Sequence, residues 1–143
     1  MSDQESTDKN TVISLFEKYH KEIGNLVKID EFNMKQVQMD LPAHRHYWVG
    51  RLMFHKSEVS KLKKARVQAM TKIKEKLAGE SPVVLTPKTL ENSAEQHPLI
   101  QKVDEQITEN DMLIEYLSKI EANFRSISYD IKNLIDIVKL ETT

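Results

Sequence analysis

Apolar residues recur along this 143-residue chain at steps of three and four, with few interruptions. Val12, Leu15, Phe16, Tyr19, Ile23 and Leu26 form the first set, which predicts a helix ending near Gly24 or Asn25. Asp30 can cap a second, short helix to about Asp40, with Phe32, Met34, Val37 and Leu41 as a less regular apolar set. Pro42 suits the first turn of a new helix and disfavours helix at Leu41. Beyond it, Trp48, Leu52, His55, Val59, Leu62, Arg66, Ala69, Ile73 and Leu77 alternate steps of four and three over most of their length. That is coiled-coil spacing, with His55 and Arg66 as its weak points. The stretch 41–79 therefore reads as one helix of roughly 55 Å, closed by Gly79 in a left-handed cap.

Residues 80–97 hold two prolines and many small polar residues, the composition of a loop, with an extended piece at 83–86. Pro98 opens the last helical region. There Ile100, Val103, Ile107, Asn110, Ile114, Leu117, Ile120, Phe124, Ile127, Ile131, Leu134 and Val138 keep a near-heptad step. The region reads as one helix, or as two with a break at 126–128 and Ser128 as the second cap. The expected class is all-α, in four segments. These are a disordered polar lead-in at 1–10, N-terminal helices at 11–79, a loop at 80–97 and C-terminal helices at 98–143.

Composition changes this picture in two ways. Hydrophobic residues make up 39% of the chain and charged residues 30%, so long helices have little core of their own. Association between chains is one way to bury their stripes. The net charge of −1 also hides a split, because the stretch 41–79 carries ten basic residues and only two acids, Glu58 and Glu75. A basic rod on an acidic remainder suggests a polyanionic partner, the simplest being a nucleic-acid backbone. With no cysteine, disulfides and thiolate metal sites are excluded. The N-terminus lacks a signal peptide's apolar run and no stretch is long enough to cross a bilayer, so a soluble intracellular protein without membrane partners is expected.

The candidate DNA-binding residues are Lys61, Lys63, Lys64, Arg66, Lys72, Lys74 and Lys76. Lysines eleven residues apart on one helix face lie about 16 Å apart, enough to follow several phosphates of a single strand. Tyr47 and Phe54 share a face with Lys61, Lys72 and Lys76 and could stack with bases. The same side chains also read as a solvated helix surface, with the two aromatics packed on a second helix. Val103, Ile107, Ile114, Leu117, Phe124, Ile127, Ile131 and Leu134 are the candidate oligomerisation residues, with an intramolecular core as the alternative. Asn110 among them resembles the polar residue that sets register in coiled coils.

Metal and catalytic signals are weak. Glu17 and His20 have the Glu-x-x-His spacing of di-iron bundles, but no second pair accompanies them. His44 and His46 would point about 200° apart on a helix and cannot share one ion. There is no glycine-rich phosphate loop and no nucleophile elbow, and Asp111 with Glu115 reads as solvated surface. No metal, no cofactor and no enzymatic activity are expected.

The residues from about Ile29 to Leu140 resemble the UvsY family of recombination mediators of T-even-type phages. The landmarks are Ile29-Asp30, Trp48 near the start of the basic helix, the lysine-rich run closing at Gly79, Lys102-Val103-Asp104, and Tyr129-Asp130-Ile131-Lys132. The resemblance implies an all-helical, ring-like homo-oligomer of six or seven subunits in the host bacterial cytoplasm. It also implies binding of single-stranded DNA, with help to a RecA-like phage recombinase in replacing the phage single-strand-binding protein. The family's basic-x-basic DNA pair has a counterpart in Lys72-Ile73-Lys74, one position out of register when counted from Trp48 to Gly79. A helical scaffold that binds other proteins without DNA is the alternative function.

Overall fold

The computed structural model describes residues 2–142, with side chains from residue 12 onward. Four α-helices follow one another: α1 (Ser2–Leu26), α2 (Met34–Glu80), α3 (Pro87–Glu95) and α4 (Pro98–Thr142). They form two compact units. Unit 1 comprises Met1–Met53 with Leu113–Thr143, and unit 2 comprises Phe54–Met112, so α2 and α4 contribute to both.

Unit 1 gathers α1, the first part of α2 and the second part of α4. Its core consists of Tyr19, Ile23, Leu41, Trp48, Leu113, Leu117, Ile120, Phe124, Ile127 and Ile131. Tyr19 meets Trp48 edge to face at 5.2 Å between ring centroids, and Phe16 meets Tyr116 at 5.0 Å. Such quadrupole-matched pairs add to what burial of the rings contributes. Burial also pushes the phenols of Tyr19 and Tyr116 above their ordinary pKa, because the phenolate is the costlier form to desolvate.

Unit 2 joins the rest of α2, α3 and the start of α4. Met70, Ile73, Ala94 and Ile100 form its core, with Ala69 and Leu77 packed against it. His55 faces Asn110 and Arg66 faces Asp104, so the two long helices run antiparallel here. The α2 seam emerges as expected: Trp48, His55, Val59 and Ile73 are buried, and Leu52, Leu62, Arg66, Ala69 and Leu77 half-buried.

Several boundaries differ from the sequence reading. The lead-in expected at 1–10 is helical backbone from Ser2, within a stretch that holds no proline or glycine before Gly24; Met1 and the side chains of 2–11 lie outside the described residues. Asp30 caps the turn 31–33 that leads into the second helix, α2. Its Oδ1 accepts from the backbone N–H groups of Phe32 (2.8 Å) and Asn33 (2.9 Å), and Asn33 Oδ1 accepts in return from Asp30 N–H at 2.8 Å. That helix does not stop near Asp40, because Pro42 lies inside it. Continuity keeps both Leu41 and Trp48 in the unit 1 core, which offsets the lost backbone bond.

Gly79 adopts no left-handed conformation, and α2 runs on to Glu80. The expected loop at 80–97 contains α3. Thr86 caps it by accepting from Thr89 N–H, and Pro87 occupies its first turn. Ala94 then seats α3 in the unit 2 core at 0% exposure. Pro98 opens α4 as expected, and the His97 ring nitrogen accepts from Leu99 N–H at 3.1 Å. There is no break at 126–128, because α4 is one helix.

Candidate nucleic-acid interface

The basic residues of 56–76 all belong to unit 2 and sit on α2. Helical spacing divides them. At about 100° per residue, Lys56, Lys63 and Lys74 share one arc, Lys61, Lys72 and Lys76 share another, and Lys64 lies between. The two members of the basic-x-basic pair, Lys72 and Lys74, therefore point away from each other.

Beside the first arc lies a surface hollow of about 400 Å³, lined by Lys56, Val59, Ser60, Lys63, Lys64 and Val67. Val59 is buried and Val67 is 66% exposed, so the hollow offers an apolar floor with three ammonium groups and a hydroxyl around it. Lys56, Lys63 and Lys64 are exposed and form no ion pair among the described residues. Their charge is thus open to a ligand. A phosphate-bearing strand suits such a place, since ammonium groups neutralise phosphates while apolar surface accepts sugar or base.

On the second arc, Lys61 reaches Glu58 at 3.3 Å and Lys76 lies 4.0 Å from Glu80. Both are exposed pairs of neighbouring turns, too weak to withhold either lysine from an anion. Lys72 is exposed and Lys74 half-buried, neither with an ion pair among the described residues.

Arg66 is placed differently. Its Nε donates to Asp104 Oδ1 at 2.7 Å and a terminal nitrogen to Oδ2 at 3.3 Å, a bidentate pair across two helices. The hydrogen bond to Asp104 raises its already high pKa. Two of its five N–H donors are thereby committed inside unit 2, whereas the exposed lysines around it have no such partner on a second helix among the described residues.

Sequence reasoning left Lys56 out of the site, although its spacing of seven and eight from Lys63 and Lys64 carried the signal. It also missed Val59, Ser60 and Val67, which only the hollow brings together with the lysines. Tyr47 is 45% exposed, but its hydroxyl accepts from Arg51 Nε at 3.2 Å and the guanidinium carbon stands 5.2 Å from its ring centroid. That contact raises the Arg51 pKa. Phe54 is 52% exposed and lies edge-on to His55 at 5.3 Å.

The residues expected to drive oligomerisation divide by their burial within the chain. Leu117, Phe124, Ile127 and Ile131 lie in the unit 1 core, 1–5% exposed, covered within the same chain by α1 and α2. The unbroken apolar stripe arose because α1 and the first part of α2 both need a partner, and α4 supplies it. Val103, Ile107, Ile114 and Leu134 are half-buried. Asn110 is half-buried as well; its Oδ1 stands 3.4 Å from His55 Nδ1 and its Nδ2 donates to Gln106 O at 2.9 Å. The two polar interruptions of the seams thus answer each other across unit 2.

Among the described residues, no three metal-ligating side chains converge, and no helix is long and apolar enough to cross a membrane. The His20 ring instead lies against Phe16 at 6.0 Å and Tyr116 at 6.4 Å.

No protein-family model matches the sequence, nor does any curated protein. Two solved structures match the fold, both of the bacteriophage T4 recombination mediator protein UvsY, in different crystal lattices. One superposes with a TM-score of 0.76 at 16% identity, covering 87% of this chain and 97% of that one. The other gives 0.73 at 16% identity, covering 89% and 97%. With all four helices in place and nearly the whole neighbour covered, this chain has the all-helical fold of the T4 mediator UvsY.

Proposed function

We propose that this protein is a recombination mediator without enzymatic activity. It binds single-stranded DNA without reading sequence and helps a RecA-like phage recombinase take the place of the phage single-strand-binding protein. Likeness to a solved mediator supports the role, and the open lysine hollow on α2 carries the DNA-binding part of it. Lys56, Lys63 and Lys64 neutralise phosphates, with Lys74 further along the same arc and Lys61, Lys72 and Lys76 on the next. Phosphate contacts carry no sequence information, so affinity follows backbone charge rather than base identity.

The protein acts as a homo-oligomer, a ring of six or seven, which multiplies modest contacts into avidity. Exposed Tyr129, Ile137 and Leu140 on α4 support self-association, being apolar side chains on a described surface of unit 1.

The test is a titration with labelled oligothymidylate at several salt concentrations. Binding should weaken as salt rises, and Lys63→Ala with Lys64→Ala should flatten that dependence by about 1.4 in slope, two phosphates at ~0.7 each on a single strand. A protein that ignores the oligonucleotide in dilute buffer is instead the helical scaffold, which needs no DNA.

A further inference from the structure

One sequence motif finds no place in that reading: His44-Arg45-His46 at the start of the basic stretch. In unit 1, Arg45 and His46 line a second hollow of about 490 Å³, together with Gln38, Leu41, Pro42, Val49 and Ser128. Its polar groups are a guanidinium, an imidazole, an amide and a hydroxyl, set around an apolar floor of Leu41, Pro42 and Val49. The hollow lies apart from the lysine arc in sequence and belongs wholly to unit 1.

The charge around it is unbalanced. Glu121 faces two arginines. Arg125 takes it with both ends of its fork, at 2.9 Å from Nε to Oε1 and 2.7 Å from a terminal nitrogen to Oε2. Arg45 approaches Oε1 only to 3.9 Å, an ion pair beyond hydrogen-bond reach. One carboxylate thus serves two guanidiniums, and the arginine held loosely is the one that borders the hollow. An anion seated there would complete the set, and an apolar frame attached to it would cover the floor.

We infer that this hollow is a nucleotide seat, binding a phosphate of single-stranded DNA through Arg45 and His46 while the adjoining sugar or base rests on Leu41, Pro42 and Val49. Gln38 and Ser128 offer hydrogen bonds to whatever base enters, and both can donate and accept, which suits a site that does not select sequence. The inference rests on the proposed single-stranded DNA binding and adds to it a second contact region outside the lysine-rich helix face.

Two variants of the full chain test it. Arg45→Gln removes the loosely held charge and leaves Glu121 paired with Arg125. Ser128→Trp fills the hollow from α4 at a position that is already exposed. Circular dichroism and sedimentation matching the unaltered protein establish that each still folds. In oligothymidylate titrations, Arg45→Gln should lower the salt slope by about 0.7, one phosphate's share on a single strand, and both variants should weaken binding several-fold in dilute buffer. Photo-crosslinks from a bromodeoxyuridine oligonucleotide should reach residues 38–49. Unchanged slopes with crosslinks confined to 56–76 overturn the seat and leave the proposed function standing. If the unaltered protein binds no oligonucleotide, the seat and the proposed function fall together.

Discussion

Arg66 and Lys63 sit three positions apart on one basic helix, yet they do different work. Arg66 spends its fork on Asp104, whereas Lys63 has no ion pair among the described residues. Replacing Arg66 by alanine should cost roughly 0.5–1 kcal/mol, discounted because the pair is 29% and 48% exposed. Thermal denaturation reads that loss, while the salt slope of DNA binding should change less than for Lys63→Ala. Tyr19 makes a prediction of another kind. Its folded pKa is raised above the ordinary 10.0, chiefly by burial, so the folded state holds the phenolic proton more tightly than the unfolded one. The stability this lends is complete below the unfolded value and is lost as pH rises through the folded one. An alkaline titration by tyrosinate absorbance should show Tyr19 and Tyr116 ionising late, with loss of helix signal as Tyr19 does so. A Tyr19 that titrates at the ordinary value with the fold intact would contradict its burial.

Among the elements, α2 holds a proline in its interior. Pro42 inside it removes one backbone bond and crowds the preceding turn, a cost of about 3 kcal/mol in a free helix. The core contacts of Leu41 and Trp48 on either side hold the helix together. Pro42→Ala should therefore raise stability, by about 1–3 kcal/mol, visible as a higher melting temperature. A lower one would mean that the proline ring's packing beside Leu41 outweighs the restored bond. In α4 the demands are opposite, since Leu113, Leu117, Ile120, Phe124, Ile127 and Ile131 all face one core. Phe124, 1% exposed, is the residue whose truncation should cost most, of order 3–5 kcal/mol by chemical denaturation.

At the scale of the whole molecule, the proposed self-association can be tested by placing charge on exposed apolar positions. Introducing charge at Leu117 would disrupt the unit 1 core rather than a subunit contact, because Leu117 is 1% exposed. Ile137 and Leu140, at 52% and 77%, are the better sites. Ile137→Glu with Leu140→Glu should leave the helix content unchanged and yield smaller species in sedimentation. A full-sized assembly from that variant would locate the association surface elsewhere. Loss of assembly should also lower apparent DNA affinity more than any single lysine does, since avidity multiplies across subunits.

Helical periodicity made much of this legible before any coordinates. The α2 seam from Trp48 to Leu77, the α4 stripe, the Asp30 cap and the Pro98 start all follow from spacing and local chemistry, which act within a few turns of one helix. The charge split of 41–79 was equally plain, because formal charge needs no fold. Local signals failed where a distant partner outweighed them: Pro42 lies inside α2 beside the core residue Leu41, and Ala94 draws α3 out of an expected loop. The site divides in the same way. That lysines crowd one helix was written in the chain. Which apolar side chains floor the hollow beside Lys56, Lys63 and Lys64, and that Arg66 turns to Asp104, were not. An amphipathic stripe states that a face will be buried, but the identity of what covers it belongs to pairings between residues tens of positions apart, and only tertiary structure decides those.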